Sequence, residues 1–400
     1  MKSLSNIKEK GLNTFLQWEL PDAVKADFAL VLALSISHKI KKNPLEVAHE
    51  IVKATACFNL EYTITKQGYI NFRFPTAYYQ QFFIETLAKE GQNFCGEKKG
   101  LRLNLEYVST NPTGYLHLAH FRHAVIGNTL ANVYQFGGYE VIREYYINDR
   151  GGQITSLVSS VYHFYHQIQN VSLPNLKKIE YSGHSSQELA QKLIENAWQL
   201  LGYDPGKLQI ILVQMVNLLT KEGQTERFSK RAGNTIELEE TLRYLEIDQL
   251  KFFLLEKEPN QPLSINAELL KENKEKTRLY YIQYAYARCH QIFQKAFQKN
   301  MGKISSRIDL LKEQNEREIF NLLVRFPLVL ENIRAENKPH HLIYYLYELA
   351  RTWQVYYQNS IILESKTPEL TAQKLLLVKN IQIILKLGLD LMGITAPNIM

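Results

Sequence analysis

Between Leu101 and Phe136 the chain reads LRLNLEYVSTNPTGYLHLAHFRHAVIGNTLANVYQF. An alternating apolar run meets a turn of Asn, Pro, Thr and Gly, and a helix-forming stretch follows at once, from about His117 to Phe136. A strand that feeds a helix in this way is the repeating unit of a parallel α/β sheet. It also leaves free main-chain N–H groups at the strand's carboxyl end, where the helix dipole favours phosphate. His117 and His120 fall in the first helical turn, three apart, and so face the same side. Two imidazoles there can donate hydrogen bonds to phosphate oxygens whose charge changes during reaction at phosphorus. Taken alone, such a pair is more often two solvent-exposed histidines at a helix start. A zinc pair is disfavoured, because no further Cys or His stands at motif spacing.

The rhythm of the chain extends this unit. YEVIREYYIN reads as a second strand, GGQITSLVSSVYHFYHQI as a second helix, and a further helix lies near Gln187 to Leu201. LQIILVQMVNLL, residues 208–219, reads as a third and strongly apolar strand. Three strands are few for a parallel sheet. Residues 1–98 look like a small α+β unit. FALVLALSISHKI and NPLEVAHEIVKATA have helical spacing, with Asn43 and Pro44 as cap and first residue of the second helix. EYTITKQGYINFRF alternates across Gly68 and predicts a hairpin. Residues 251–400 read as all helix, in long amphipathic segments such as LIYYLYELARTWQVYYQ. The boundaries are therefore 1–98, 99–250 and 251–400.

Charge enters at two further places. ERFSKRAGN, residues 226–234, carries Arg227, Lys230 and Arg231 around Ser229, just beyond the third strand. A basic loop at a sheet's carboxyl edge can close over a triphosphate, and it equally reads as a solvated basic loop. Residues 268–303 hold Lys271, Lys274, Lys276, Arg278, Arg288, Lys295, Lys299 and Lys303 against Glu268, Glu272 and Glu275, with Tyr280, Tyr281, Tyr284 and Tyr286 interleaved. Cations for phosphates and aromatics for unstacked bases suit single-stranded RNA, whereas about half of these residues suit an ordinary helix core and solvated face. The formal net charge is +7 over 400 residues, which suits a polyanionic partner without identifying one. Three scattered cysteines, Cys57, Cys95 and Cys289, argue against a disulfide framework or zinc knuckle and for a reducing compartment. With no apolar window of membrane-spanning length and no signal-type N-terminus, the expected location is the cytoplasm.

In order and spacing these motifs resemble those of an arginine–tRNA ligase, a class I aminoacyl-tRNA synthetase. EYVSTNPTGYLHLAH resembles the family's strand and H-x-G-H signature, and VIREYYINDRGGQI the segment that follows. FSKRAGN resembles the K-M-S-K-S signature. LYYIQYAYARC and LGLDLMGITAPNIM resemble the helical anticodon-binding domain, and ADFALVLALSISHKIKKNPLEVAHEIV with GYINFRF the N-terminal domain. The resemblance implies an N-terminal tRNA-binding α+β domain, a reduced Rossmann-like catalytic domain and a C-terminal α-helical anticodon-binding domain. It implies ATP-dependent activation of arginine to an adenylate, and transfer to the 3′ end of arginine tRNA. The implied partners are tRNA, arginine and ATP with magnesium, without a structural metal or membrane, for a cytoplasmic monomer.

Residue by residue, the resemblance assigns His117, Ala119, His120, Ser229 and Lys230 to ATP, with His117, His120 and Lys230 catalytic. Glu106, Ser109 and Asn111 match positions that hold arginine's polar groups; a carboxylate facing a guanidinium is the expected pairing. Arg278, Tyr284, Arg288 and Met400 are the candidate tRNA contacts. The sequence departs from the pattern in three places. Ala119 stands where the first signature has glycine, and Arg227 with Phe228 replaces Lys-Met in the second. Between Gln153 and Arg227 a long family block is missing, including a Y-x-x-x-D segment for the substrate arginine, a W-G-A-D-H-H segment beside the adenosine and two strands of the sheet. These departures leave open a paralogue that binds tRNA without charging it, or a decayed, internally deleted copy.

Overall fold

The computed structural model describes residues 18–19, 26–55, 61–95, 100–110, 116–147, 204, 207–219, 238–266 and 274–400. Its first part is a four-stranded antiparallel sheet of order β1 (Trp18–Glu19), β2 (Phe28–Leu30), β4 (Ile70–Arg73), β3 (Glu61–Ile64). Two helices cover it, α1 (Leu32–Ile40) and α2 (Pro44–Thr55). The expected hairpin forms across Gly68, whose φ of 93° is open to glycine and strained for other residues. Asn43 caps α2 as expected, its side-chain oxygen accepting the Leu45 N–H at 2.9 Å. One expectation is corrected here. Phe28–Leu30 is a strand and not the start of a helix, because it pairs with Ile70–Phe72. A short apolar run fits either state, and this tertiary ladder decides it.

The helix α3 (Thr76–Ala88) leaves this small core and joins the large one. Tyr79 and Phe83 are fully buried and meet Phe320 with ring centroids 5.5 and 5.0 Å apart. Around this junction lies a buried polar cluster. The Asp27 side chain has no exposed surface, and Arg317 grips both of its oxygens. The Phe74 N–H and the Asn321 amide donate to the same carboxylate at 2.8 and 3.1 Å. The Arg317 guanidinium lies 4.7 Å above the Tyr79 ring. Burial would raise the Asp27 carboxyl, but the Arg317 and Phe74 hydrogen bonds outweigh it and hold the group below its ordinary range.

The α/β part is built on α4 (Leu118–Phe136), which connects β5 (Arg102–Glu106) to β6 (Glu140–Glu144) as a parallel pair. Gly127 lies against Tyr107 so closely that a Cβ would stand 2.3 Å from the ring. The third expected strand is shorter than its apolar run: of residues 208–219 only β7 (Val216–Leu218) joins a ladder of that region. Its partner is β8 (Leu263–Ile265), in parallel, inside a region expected to be all helix. Three residues are too few for a periodic signal, and pairing with β7 supplies what local pattern does not. Among the described residues the α/β part thus holds two two-stranded ladders in place of one sheet.

From α5 (Ile247–Leu255), which runs through residue 250, the chain passes to four long helices. These are α6 (Arg278–Gln298), α7 (Gln314–Glu336), α8 (His340–Asn359) and α9 (Pro368–Leu391). Ile282, Cys289, Leu323, Phe326, Leu349, Trp353, Leu376 and Ile384 are fully buried in a core that continues into Leu130 and Val133 of α4. The tail after α9 turns back onto the α/β part. Thr395 N–H donates to Asp248 at 2.9 Å, Lys251 donates to the Gly393 carbonyl at 2.6 Å, and Asn132 to the Leu391 carbonyl at 3.0 Å. Among the described residues no helix is long and apolar enough to cross a membrane.

Replacing Arg317 by Met strands a buried carboxylate, so urea unfolding should show a loss of about 3–5 kcal/mol. The double variant Asp27→Leu, Arg317→Met should lose less than this single change. Equal losses in the two would show that the charge pairing does not matter.

Candidate functional site

The strand β5 ends at Glu106, and the chain then turns sharply: Val108 and Ser109 both have positive φ, 73° and 38°. Side chains of the next strand's end hold this turn. Ser109 Oγ accepts the Tyr146 N–H at 3.0 Å, and the Tyr145 hydroxyl lies 2.8 Å from Thr110 Oγ1. Glu106 is exposed and stands at the position paired with Glu144. Asn104 binds the Glu144 carboxylate. The expected arginine-binding residues therefore differ in state: Glu106 offers an exposed carboxylate, while the Ser109 hydroxyl is already engaged by a main-chain donor. Asn111 lies outside the described residues.

His117 is the N-cap of α4, with extended φ and ψ of −117° and 169°. Its main-chain N–H points at His120 Nδ1 at 3.4 Å. The two rings stack with centroids 3.5 Å apart. Accepting through Nδ1 places the ring proton of His120 on Nε2, which leaves that nitrogen as a donor. Burial lowers all three histidines of this turn. His120 falls to about 4, through burial first and then His117 and His123. His117 is lowered by burial, and His123 by burial and then the Arg122 charge. At neutral pH these imidazoles are uncharged, so the turn offers N–H donors and a helix N-terminus to an anion.

Ala119 is half-buried between the two histidines. Ser229 and Lys230, with the rest of the basic loop, lie outside the described residues. Beneath the helix start is a residue not singled out from the sequence. Arg122 is fully buried and donates to the main-chain carbonyls of Gln214, Gln261 and Glu258. One signal was there to be read: Leu118, Arg122 and Val125 follow apolar helical spacing, so an arginine occupies a core position.

A second cluster forms on α6. Arg288 is sandwiched between the rings of Tyr284 and Tyr357, at 4.6 and 4.4 Å. It donates to Gln354 Oε1 at 3.1 Å and to the Tyr284 hydroxyl. Arg288, Tyr284 and Gln354 line an open cavity of about 270 Å³ with Glu275, Tyr280, Tyr281 and Gln358. Tyr280 and Tyr284 stack nearly parallel, 9° apart. Gln354, unremarked in the sequence, is buried, and among the described residues its Nε2 has no hydrogen-bond partner. Arg278 is committed elsewhere, paired with Glu256 at 2.8 Å beside Tyr344 and Tyr347. Met400 is exposed at the end of a tail held by Gln283 and Tyr286, and it does not line the cavity. Among the described residues no three His, Cys, Asp or Glu side chains converge as metal ligands.

Three family models match the chain in succession. Residues 2–74 match the arginyl tRNA synthetase N terminal domain, 84–181 the class I (R) tRNA synthetase catalytic domain, and 282–400 the DALR anticodon binding domain. An arginine–tRNA ligase of Mycoplasma mobile is 27% identical, with 93% of each chain covered. One from Listeria welshimeri is 23% identical, covering 95% of this chain and 93% of its own. The Mycoplasma alignment runs over 513 positions, more than the 400 residues here, so the relative holds a long stretch that this chain lacks. The fold is that of Thermus thermophilus arginyl-tRNA synthetase, with a TM-score of 0.74 at 17% identity over 99% of this chain and 98% of that one. Plasmodium falciparum arginyl-tRNA synthetase gives 0.62 at 16% identity, covering 100% and 99%. The three models follow one another along the chain, and the chain belongs to the arginyl-tRNA synthetases of class I.

Proposed function

We propose that the chain is an arginine–tRNA ligase, which activates arginine with ATP and passes it to the 3′ end of arginine tRNA. The observation that carries this reading is the neutral histidine pair at the start of α4, at the carboxyl end of a parallel strand. His120 Nε2 and His117 donate to the phosphates of ATP, where charge builds as the carboxylate of arginine attacks the α-phosphorus and pyrophosphate leaves. Ala119 lies between them along the nucleotide, and Ser229 and Lys230 stabilise the leaving pyrophosphate. Glu106, with Ser109 and Asn111, faces the substrate's guanidinium and amino groups. Magnesium accompanies the triphosphate as its counter-ion. Catalysis is then positioning and charge stabilisation, without a covalent enzyme intermediate.

The α6 cavity supports the tRNA half of the reaction. Flat tyrosine faces and a stacked guanidinium suit an unpaired base. Tyr284 and Arg288 are its binding residues, with Arg278 and Met400 as flanking contacts. The units are 1–98 for tRNA binding, 99–250 for chemistry and 251–400 for the anticodon. The protein acts as a cytoplasmic monomer.

The direct test incubates the protein with ATP, arginine and arginine tRNA and measures charged tRNA. Charging is expected. Tight tRNA binding with no charging would replace this reading with that of a tRNA-binding paralogue. His120→Asn should lower kcat of charging by about 10²–10³-fold while tRNA affinity holds. Protonation of His120 at Nδ1 removes the acceptor for the His117 N–H that orients the ring, so its pKa of about 4 sets the acid limb. As pH falls, kcat/KM for ATP should hold through 6.5 and drop only below about 5.5; a limb near 6.5 would mean an unperturbed imidazole. Arg288→Ala should weaken tRNA binding by roughly tenfold or more in filter binding, with KM for ATP unchanged.

A further inference from the structure

We infer that Arg122 is a positioning residue for the adenylation step, which fixes the histidine-bearing start of α4 against the β7–β8 ladder. Core packing does not require an arginine here. The side chain is fully buried, on the helix face that also buries Leu118, Val125 and Ile126, where leucine or methionine would fill the space. Burial pushes the guanidinium down to about 10, so it keeps its charge at neutral pH. No carboxylate faces it among the described residues, and its Nε is buried without a hydrogen-bond partner. A buried cation with neutral partners alone is costly, so its retention needs a task.

The task is visible in its hydrogen bonds. One nitrogen donates to Gln214 and Gln261 carbonyls, both at 2.8 Å, and the other to the Glu258 carbonyl at 3.0 Å. These carbonyls belong to two chain segments that are themselves joined. Gln214 N–H donates to the Pro259 carbonyl at 2.9 Å, and Leu263 N–H to the Met215 carbonyl at 3.1 Å. Gln214 lies two residues before β7. Glu258 and Gln261 lead into β8, the partner of β7. Arg122 follows His120 by two residues. A single planar fork thus ties the β7–β8 ladder to the helix whose first turn carries both histidines, and only arginine has donors enough in fixed geometry to do it.

The inference rests on the ligase reading, and its test separates the two. Arg122→Met and Arg122→Lys are compared with the unaltered protein in steady-state charging and in tRNA filter binding. Arg122→Met should lower kcat about 100-fold, the order expected for a displacement near 1 Å, while tRNA affinity stays within about twofold. Arg122→Lys, which keeps the charge and can reach one or two of the carbonyls, should recover part of that loss and also serves if the methionine variant does not fold. A kcat within about threefold of the unaltered protein in both variants, or an equal loss of tRNA affinity, would overturn the role. If the unaltered protein charges no tRNA, the ligase reading fails and amide hydrogen exchange decides the positioning. Residues 208–219 should then exchange at least about tenfold faster in the variant that folds, with α7 to α9 unchanged; no change, or a uniform acceleration, would sink it.

Discussion

Asp27 brings a carboxylate inside the molecule with no exposed side-chain surface, and three separate stretches of chain must converge to keep it there. Phe74 supplies a main-chain donor from the N-terminal part, and Arg317 and Asn321 supply side chains from α7. Tyr79 lies beneath the guanidinium and extends the contact into the large core. Directional bonds of this kind specify one arrangement where apolar packing would tolerate several. Among the described residues the small sheet and its two helices share a core of seven buried apolar side chains, and this polar cluster attaches it to the large one.

The second organising constraint is α4. It receives β5 at one end through the histidine turn, packs on α5, α7 and α9, and hands the chain to β6 at the other. A parallel sheet is normally buried on both faces. Here the described residues place two short ladders around this helix, and Leu130, Val133, Phe252, Leu323 and Leu376 join it to the helical bundle in one continuous cluster. The close contact of Gly127 with Tyr107 lets β5 end directly on the helix that it feeds.

The elements legible in the sequence were those with a local cause. Pro44 and Asn43 announced α2, Gly68 the hairpin, and the apolar runs on either side of residues 111–114 announced β5 and the helix that His117 caps. What escaped was set by contacts between distant segments. Phe28–Leu30 became a strand through Ile70–Phe72, and Leu263–Ile265 through Val216–Leu218. At the site, residue types marked His117 and His120, but not the stacked, uncharged state that burial and the capping contact impose. Tyr284 and Arg288 were visible as aromatic and basic neighbours. Gln354 and Tyr357, which complete their cluster, come from a helix more than sixty residues away. Ser229, Lys230 and Asn111 remain assignments by motif alone.

The tail after α9 has one more consequence, and it concerns time and not geometry. Leu391, Gly393 and Thr395 bind Asn132, Lys251 and Asp248, so residues from the last tenth of the chain close contacts on its middle. On a ribosome that middle is made long before these partners exist. These contacts can form only once α6 to α9 have been made, so this face of the α/β part is covered after the bundle has been synthesised.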